Sequence, residues 1–372
     1  MLQLPTEIEE IIIAMTGLND PSEMASVRRD LYRLGDGFAR IAPAENRHLK
    51  AYLAYHFPAN LMKTYAVMRE IDAAHKDLLS GRRSYHVLDI GCGSGAGMFG
   101  FFLARHKNIP AQFDLQGIDS SAGALEQCRN IIRRLEARYS DLSVKLTQRQ
   151  LDPQDQRRFT GTYDAILCVN SLVEIFPEGP LDMKLLTGWL RRLSPGGMLV
   201  IIEPALKTSS RRLMALRPDL ARVPGIRIIR PCLHAGPCPL LAIETRDEWC
   251  HETIPWKPPG YMVQLNRGLE REIDVLKFSY LVMARTDEAA AAGAFRVISR
   301  RLKEKGKTKC FLCTPEGRIE LYRLDKDRSE TNAAFDDIQK GDVISADDIE
   351  RRGRLFKVHK HSSVTIRFAG YR

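Results

Sequence analysis

His86-Val-Leu-Asp-Ile-Gly-Cys-Gly-Ser-Gly-Ala-Gly97 is a short apolar strand running directly into a glycine loop. Val87, Leu88 and Ile90 have the unbroken apolar character of a buried parallel strand, and Gly91, Gly93 and Gly95 let the backbone turn sharply beneath a ligand. Met98 to Leu103 then opens a helix whose N-terminal amides face whatever lies on the loop. The next apolar run, Phe113 to Asp119, ends in a carboxylate 24 residues beyond Gly95. An acid at the end of a second strand accepts from both hydroxyls of a ribose, so the two segments together predict a nucleotide-bearing cofactor.

The acid that opens the loop narrows the choice. Asp89-Ile-Gly-Cys-Gly-Ser-Gly95 resembles class I S-adenosylmethionine methyltransferases more than dehydrogenases, and the later order agrees. Tyr163 to Asn170 reads as the fourth strand, and Leu193-Ser-Pro-Gly-Gly-Met-Leu-Val-Ile-Ile-Glu203 as the turn and fifth strand. The residues expected around S-adenosylmethionine are Asp89, Gly91, Gly93, Gly95, Asp119 and Asn170.

A chain of 372 residues exceeds what one hydrophobic core usually supports. The expected fold is α/β, a class I (Rossmann-like) methyltransferase sheet with additions at both ends. A helical N-terminal domain (1–80) precedes the cofactor-binding domain (81–204). A basic arm, a cysteine region and a returning strand at 277–284 follow (205–294), then a small β-rich unit (295–372). Its short strands, at 308–313, 318–323, 341–344, 355–358 and 364–368, are compatible with an OB-like barrel but leave the topology open. Three helical stretches are expected near 4–15, 22–35 and 46–76, the last broken at Phe57-Pro58.

The first residues lack a basic, long-apolar signal peptide, no stretch has 18 uninterrupted apolar residues, and eight cysteines without a secretion signal point to thiols in a reducing compartment. The expectation is a cytoplasmic protein of bacterial type, with no membrane and no sign of a homo-oligomer.

The net charge of +10 is uneven. Segments 205–231, 300–309 and 351–372 together carry +18, which leaves −8 for the rest. Localised basic runs on an acidic body point to nucleic acid, and a membrane surface is disfavoured because no amphipathic aromatic face accompanies them. The candidate phosphate contacts are Arg211, Arg212, Lys303, Lys305, Lys307 and Lys309.

Cys232, Cys238 and Cys250 cluster in Pro231-Cys-Leu-His-Ala-Gly-Pro-Cys-Pro239 and Glu248-Trp-Cys-His251. Prolines and glycine keep this backbone irregular, so side chains can converge on one point. Cys310 and Cys313 are candidates for a fourth partner. In a strand they point to opposite faces, and Cys313, at the strand end beside the Thr314-Pro-Glu-Gly317 turn, is the better ligand position. Four thiolates admit zinc or an iron–sulfur cluster. The spacing leans away from zinc, whose ligands usually come in tight pairs, while His234 and His251 keep a Cys₃His zinc site open. Cys92, Cys128 and Cys168 read as structural.

The chain resembles the methyltransferase-like family of the small ribosomal subunit, with mitochondrial, yeast and bacterial members. Tyr55-His-Phe-Pro-Ala59, Leu88 to Gly95, Cys232 to Pro239, Trp249-Cys-His251, Lys277-Phe-Ser-Tyr280 and Cys313 to Gly317 carry the likeness, in order, over roughly residues 45–320. The resemblance implies a [4Fe–4S] cluster on Cys232, Cys238, Cys250 and Cys313, and small-subunit ribosomal RNA as partner during assembly or early translation.

Whether the family likeness extends to catalysis is a separate question. A base amino-methyltransferase carries Asn/Asp-Pro-Pro-aromatic after the fourth strand, where this chain has Asn170-Ser-Leu-Val-Glu174. Asn170 retains the means to bond a substrate edge. Methyl transfer needs only proximity and in-line geometry, so two readings stand: a ribosomal RNA methyltransferase, or a non-catalytic assembly factor using the fold as a platform. A small-molecule methyltransferase is a third, and it predicts no salt-sensitive RNA affinity.

Overall fold

The computed structural model describes residues 1–34, 48–76, 78–79, 81–106, 111–148, 161–177, 181–242, 245–287 and 293–370. Strand β1 (Leu2–Gln3) is followed by helices α1 (Thr6–Thr16) and α2 (Pro21–Leu34). Ile8, Ile11 and Ile12 form the buried stripe of α1. The helix stops at Gly17, whose φ of 73° lets its N–H close back on the Ile13 carbonyl.

α3 (Leu49–Ala51) passes through a π-helical turn (Tyr52–His56) into α4 (Phe57–Ala74). The break expected at Phe57-Pro58 is therefore a local widening of one continuous helical path. Pro58 lies in the first turn of α4, where its missing N–H costs least. The end of the second expected helix at residue 35, and the start of the third at 46–47, lie outside the described residues.

Strands β2 (Ser84–Ile90), β3 (Gln112–Asp119), β4 (Leu142–Gln148), β5 (Tyr163–Val169), β6 (Leu193–Pro204), β7 (Ile226–Arg230), β8 (Glu252–Lys257) and β9 (Val275–Arg285) join β1 in one sheet. The order is β4-β3-β2-β5-β6-β9-β8-β1, with β7 also on β9. β2 to β6 run parallel, and β9 returns antiparallel to β6. Five parallel strands with a reversed neighbour make this the class I S-adenosylmethionine methyltransferase fold. The chain leaves β2 for β3 on one side and reaches β5 on the other, so a crevice opens at their carboxyl ends.

Helices α5 (Ala96–Arg105), α6 (Ala122–Glu136), α7 (Leu172–Ile175), α8 (Met183–Leu190), α9 (Lys207–Ala215), α10 (Arg217–Leu220) and α11 (Gly260–Leu265) complete this body. Phe57, Leu61, Phe99 and Ile131 pack on one face of the sheet, and Trp189, Leu213 and Leu220 on the other. All seven residues of β5 are buried, as a strand covered on both faces requires.

The outer edge of β9 is shared. β8 pairs with Val275–Phe278 and β7 with Val282–Arg285, which leaves Ser279, Tyr280 and Leu281 between them. β7 runs into Cys232 through the cis Arg230–Pro231 bond, and β8 begins just after Cys250. The fork in the sheet edge is what brings these cysteines to one place.

A second sheet is built from β10 (Ala294–Val297), β11 (Leu302–Glu304), β12 (Lys307–Thr314), β13 (Gly317–Leu324), β14 (Val343–Asp347), β15 (Glu350–Arg352), β16 (Leu355–Val358) and β17 (Ser363–Phe368). Its order is β15-β16-β13-β12-β10-β14-β17, with β11 on β12 and β13 parallel to β16. The path ends at β15 and β17, an eight-stranded arrangement in place of an OB-like barrel. The five expected strands are present. Three short ones, β10, β11 and β15, carry too few residues to show a period in the sequence.

Candidate cofactor cleft and cysteine centre

The glycine loop follows β2 with φ of 67° at Gly91, 51° at Gly93 and 92° at Gly95. A Cβ on Gly91 would lie 2.4 Å from Ser171 Cβ, and one on Gly95 2.5 Å from the Phe99 ring. Packing therefore demands glycine at both positions. A Cβ on Gly93 would meet nothing within 4 Å, so Gly93 borders open space. Asp119, at the end of β3, accepts from the Gly93 and Ser121 amides at 2.8 Å each and so holds the loop in place. Burial pushes its carboxyl upward against those two bonds.

Asp89 is 1 % exposed and sits behind the loop. Its Oδ2 accepts from the Met98 amide at 2.8 Å, while among the described residues Oδ1 has no hydrogen-bond partner. Burial pushes its pKa to about 7. Asp89 thus anchors the start of α5. Asn170, at the end of β5, has φ 56° and gives its amide to the Ile202 carbonyl at 2.7 Å. Its buried Oδ1 has no hydrogen-bond partner among the described residues. Ser171 Oγ donates to the Ile90 carbonyl at 2.7 Å and pins the end of β5 to the end of β2.

Polar residues not anticipated from the sequence gather here. Asn60 Nδ2 donates to Tyr52 Oη at 3.3 Å, and Lys63 Nζ donates to Asn60 Oδ1 at 3.0 Å. Burial takes the Lys63 amine down to about 8 against the pull of Glu203. Burial likewise pushes Glu203, at the end of β6, up to about 8 although its Oε1 accepts from the Leu172 amide. Glu203 closes the fifth-strand motif and was readable there. Asn60 and Lys63 gave no signal, since a polar i,i+3 pair on a helix usually faces water.

The second site lies at the forked edge of β9. Cys232, Cys238 and Cys250 line one pocket, and Cys232, Cys250 and Cys313 line the adjoining one. Burial raises the Cys232 thiol to about 11 and Cys313 to about 12, and at Cys250 the other three thiols add to the effect of burial. Ser279 Oγ donates to the Cys250 carbonyl at 2.6 Å, and the Cys313 sulfur lies 3.6 Å from His234 Nε2. Cys310 points the other way, fully buried in the core of the second sheet with Leu312 and Leu321. His251 borders both pockets.

Among the described residues, no group of three or more His, Cys, Asp or Glu is arranged to hold a metal ion. The polar surroundings nevertheless suit an anionic group. Arg217 is 2 % exposed, lines the first pocket and gives Nη2 to the His234 carbonyl at 2.7 Å. Its Nε and Nη1 are buried without an oxygen or nitrogen partner among the described residues, while burial raises the Cys238 thiol against the Leu240 amide and the charge and hydrogen bond of Arg217, which lower it. Arg296 lines the second pocket.

The basic residues divide. Arg211 Nη1 donates to the carbonyls of Leu240 (2.8 Å), Thr245 (3.3 Å) and Glu248 (2.9 Å), so it clamps the cysteine region from within. Arg212 is half-buried near Glu203. Lys307 pairs with Glu320 at 2.6 Å and lies over the Tyr322 ring. Lys309 pairs with Glu304 at 2.6 Å and Glu320 at 3.4 Å. Lys303 and Lys305 are exposed. The hairpin separates them: Lys307 and Lys309, two residues apart on one face of β12, meet Glu304 of β11 and Glu320 of β13, whereas Lys303 lies on β11 and Lys305 in the turn between the two strands.

A family model described as mitochondrial small ribosomal subunit Rsm22 matches residues 46–362. No curated protein matches at a significant level. Similar solved structures include a methyltransferase from Pyrococcus furiosus, 15 % identical, covering 59 % of this chain and 83 % of that one with a TM-score of 0.31. An S-adenosylmethionine-dependent methyltransferase from Clostridium acetobutylicum is 10 % identical, with 82 % and 74 % covered and a TM-score of 0.27. The plantazolicin methyltransferase BpumL, in complex with a substrate analogue and SAH, is 15 % identical, with 76 % and 98 % covered and a TM-score of 0.33. Among the described residues, no helix is long and apolar enough to cross a membrane.

Proposed function

The chain belongs to the mitochondrial small ribosomal subunit Rsm22 family, and from that premise we propose that it binds S-adenosylmethionine and methylates ribosomal RNA of the small subunit. Asp119 and the Gly93 turn hold the cofactor's ribose, and Asn170 Oδ1 accepts from the substrate. The observation that carries this reading is the convergence at the β2/β5 switch point. There an acid ties the glycine loop, a glycine borders open space, and a buried acceptor lacks a donor. The cofactor supplies an electrophilic methyl group, and the chain's part is placement. Ser171 fixes β5 against β2, and the buried Lys63–Asn60–Tyr52 chain closes the helical side.

The proposal includes a [4Fe–4S] cluster on Cys232, Cys238, Cys250 and Cys313. One buried and three half-buried cysteines around two adjoining pockets support it, as does the buried Arg217 beside them. In this role the four cysteines, holding the cluster, would pin the basic 205–231 arm and the C-terminal β unit to the first sheet. The exposed Lys303 and Lys305 then contact RNA phosphate.

One observation favours a second reading. After Asn170 the chain enters α7 (Leu172–Ile175) with no proline or aromatic to stack on a base, as suits a non-catalytic assembly factor. Methyl transfer from labelled S-adenosylmethionine to small subunits from cells lacking the protein separates the two. Both mature and immature particles are offered to anaerobically purified protein. Label in the ribosomal RNA is the expected result. Absence of label, with particle binding intact, overturns the enzyme in favour of the assembly factor.

A further inference from the structure

Arg217 leaves two of its buried donor nitrogens without an oxygen or nitrogen partner among the described residues. It is 2 % exposed, gives Nη2 to the His234 carbonyl and also bonds the Cys238 side chain. The two nitrogens without such a partner are Nε and Nη1. Leaving a buried charged donor unsatisfied costs several kcal/mol as a rule, on the order of 1–3 even for a neutral one, so the fork is built for an acceptor. The pocket it lines offers sulfur: Cys232, Cys238 and Cys250 are its neighbours there, with the apolar walls of Leu213 and Met214. Glu70 and Glu252 hold Arg230 and Arg296.

We infer that Arg217 is the built-in counter-charge of the cysteine centre, donating from Nε and Nη1 to sulfur of the bound anionic cluster and thereby raising its reduction potential. The inference rests on the proposed cluster. A cluster on four thiolates is an anion in its oxidised form and gains one further negative charge on one-electron reduction. A cation fixed in a dry pocket favours the more negative form, since the attraction is little screened there. Arg217 is a positioning and tuning residue in this account, not a ligand.

The test uses the full chain, purified without oxygen, as wild type, Arg217→Gln and Arg217→Lys. Gln keeps a donor for the His234 carbonyl and removes the charge; Lys keeps the charge. Iron and sulfide content, visible absorbance and a dye-mediated titration with dithionite, read by electron paramagnetic resonance, are measured on each. We expect Arg217→Gln to hold the cluster while its equilibrium constant for reduction falls about tenfold, equivalent to about 59 mV for one electron. Arg217→Lys recovers most of that shift. A loaded Gln variant with wild-type potential and spectrum overturns the inference. Should Gln fail to load, Lys decides: loading supports the charge role, and an empty Lys variant overturns it. Colourless wild type containing stoichiometric zinc defeats the cluster reading itself, and is distinguished from the other outcomes by the metal analysis.

Discussion

Gly91 and Gly93 differ in what a methyl group would meet, and the difference separates stability from binding. Both have left-handed φ, which costs an L-residue roughly 1–2 kcal/mol. Gly91→Ala also drives Cβ into Ser171, the residue that ties β5 to β2. We expect its denaturation midpoint to fall well beyond that of Gly93→Ala, which loses the conformational part alone but fills the open side of the loop and lowers cofactor affinity. Asp89 and Glu203 predict a pH dependence. Burial raises their folded pKa values to about 7 and about 8 from unperturbed values near 3.8 and 4.5. The folded state therefore binds more protons than the unfolded one between about pH 4 and 8, and stability falls as pH rises through that window. Thermal unfolding from pH 5 to 8 should show this decline, and Glu203→Gln should flatten its upper part. A midpoint that rises with pH across the window contradicts the assignment. Among single residues, the glycines and Asp119 were legible because their chemistry forces a sequence pattern. Lys63, Asn60 and Arg217 were not, because their roles come from partners distant in sequence.

At the scale of elements, the parallel strands were legible from continuous apolar runs, and β9 from Lys277 to Ala284. The fork of β7 and β8 along β9 was not, since edge pairing depends on three-dimensional register. Yet that fork positions the cysteines. Alternation along β12 places Cys310 in the core and Cys313 at the pockets, as the choice between the two from strand geometry expects. Cys238→Ser should abolish the broad visible absorbance of anaerobic protein, whereas Cys310→Ser should retain it and lose only stability. Equal loss in both would place the fourth ligand elsewhere. The β11–β12 hairpin, not alternation, divides the lysines, with Lys303 on β11, Lys305 in the turn and Lys307 and Lys309 on one face of β12. Lys303→Ala and Lys305→Ala should each flatten the salt slope of RNA binding by about one unit, and Lys307→Ala and Lys309→Ala, already paired with acids, by less. Equal slopes for all four variants and the wild type would remove this edge from the RNA interface.

At the scale of the molecule, Glu70 of α4 joins the parts. It pairs with Arg230 of β7 at 3.0 Å and with Arg296 of β10, and accepts from Tyr280 of β9 at 2.6 Å. Arg296 also pairs with Glu252 of β8 at 2.8 Å. Burial alone would push the Glu70 carboxyl up, but Arg296 and Arg230 outweigh it and hold it below the usual range. A helical element, the sheet edge and the second sheet are thus locked through one carboxylate. Glu70→Gln leaves two buried guanidiniums undercompensated and should cost about 3–5 kcal/mol in denaturant unfolding. A loss below about 1 kcal/mol would show that the sheets hold together without it. Nothing around Glu70 in the sequence marks it, because its partners lie 160 and 226 residues away. The most direct measurement is equilibrium binding of labelled S-adenosylmethionine to the full chain, beside its Gly93→Ala and Asp119→Ala variants. The account predicts one saturable site per chain, weakened strongly in both variants. Absence of saturable binding by the wild-type chain, or binding unchanged in both variants, would contradict it.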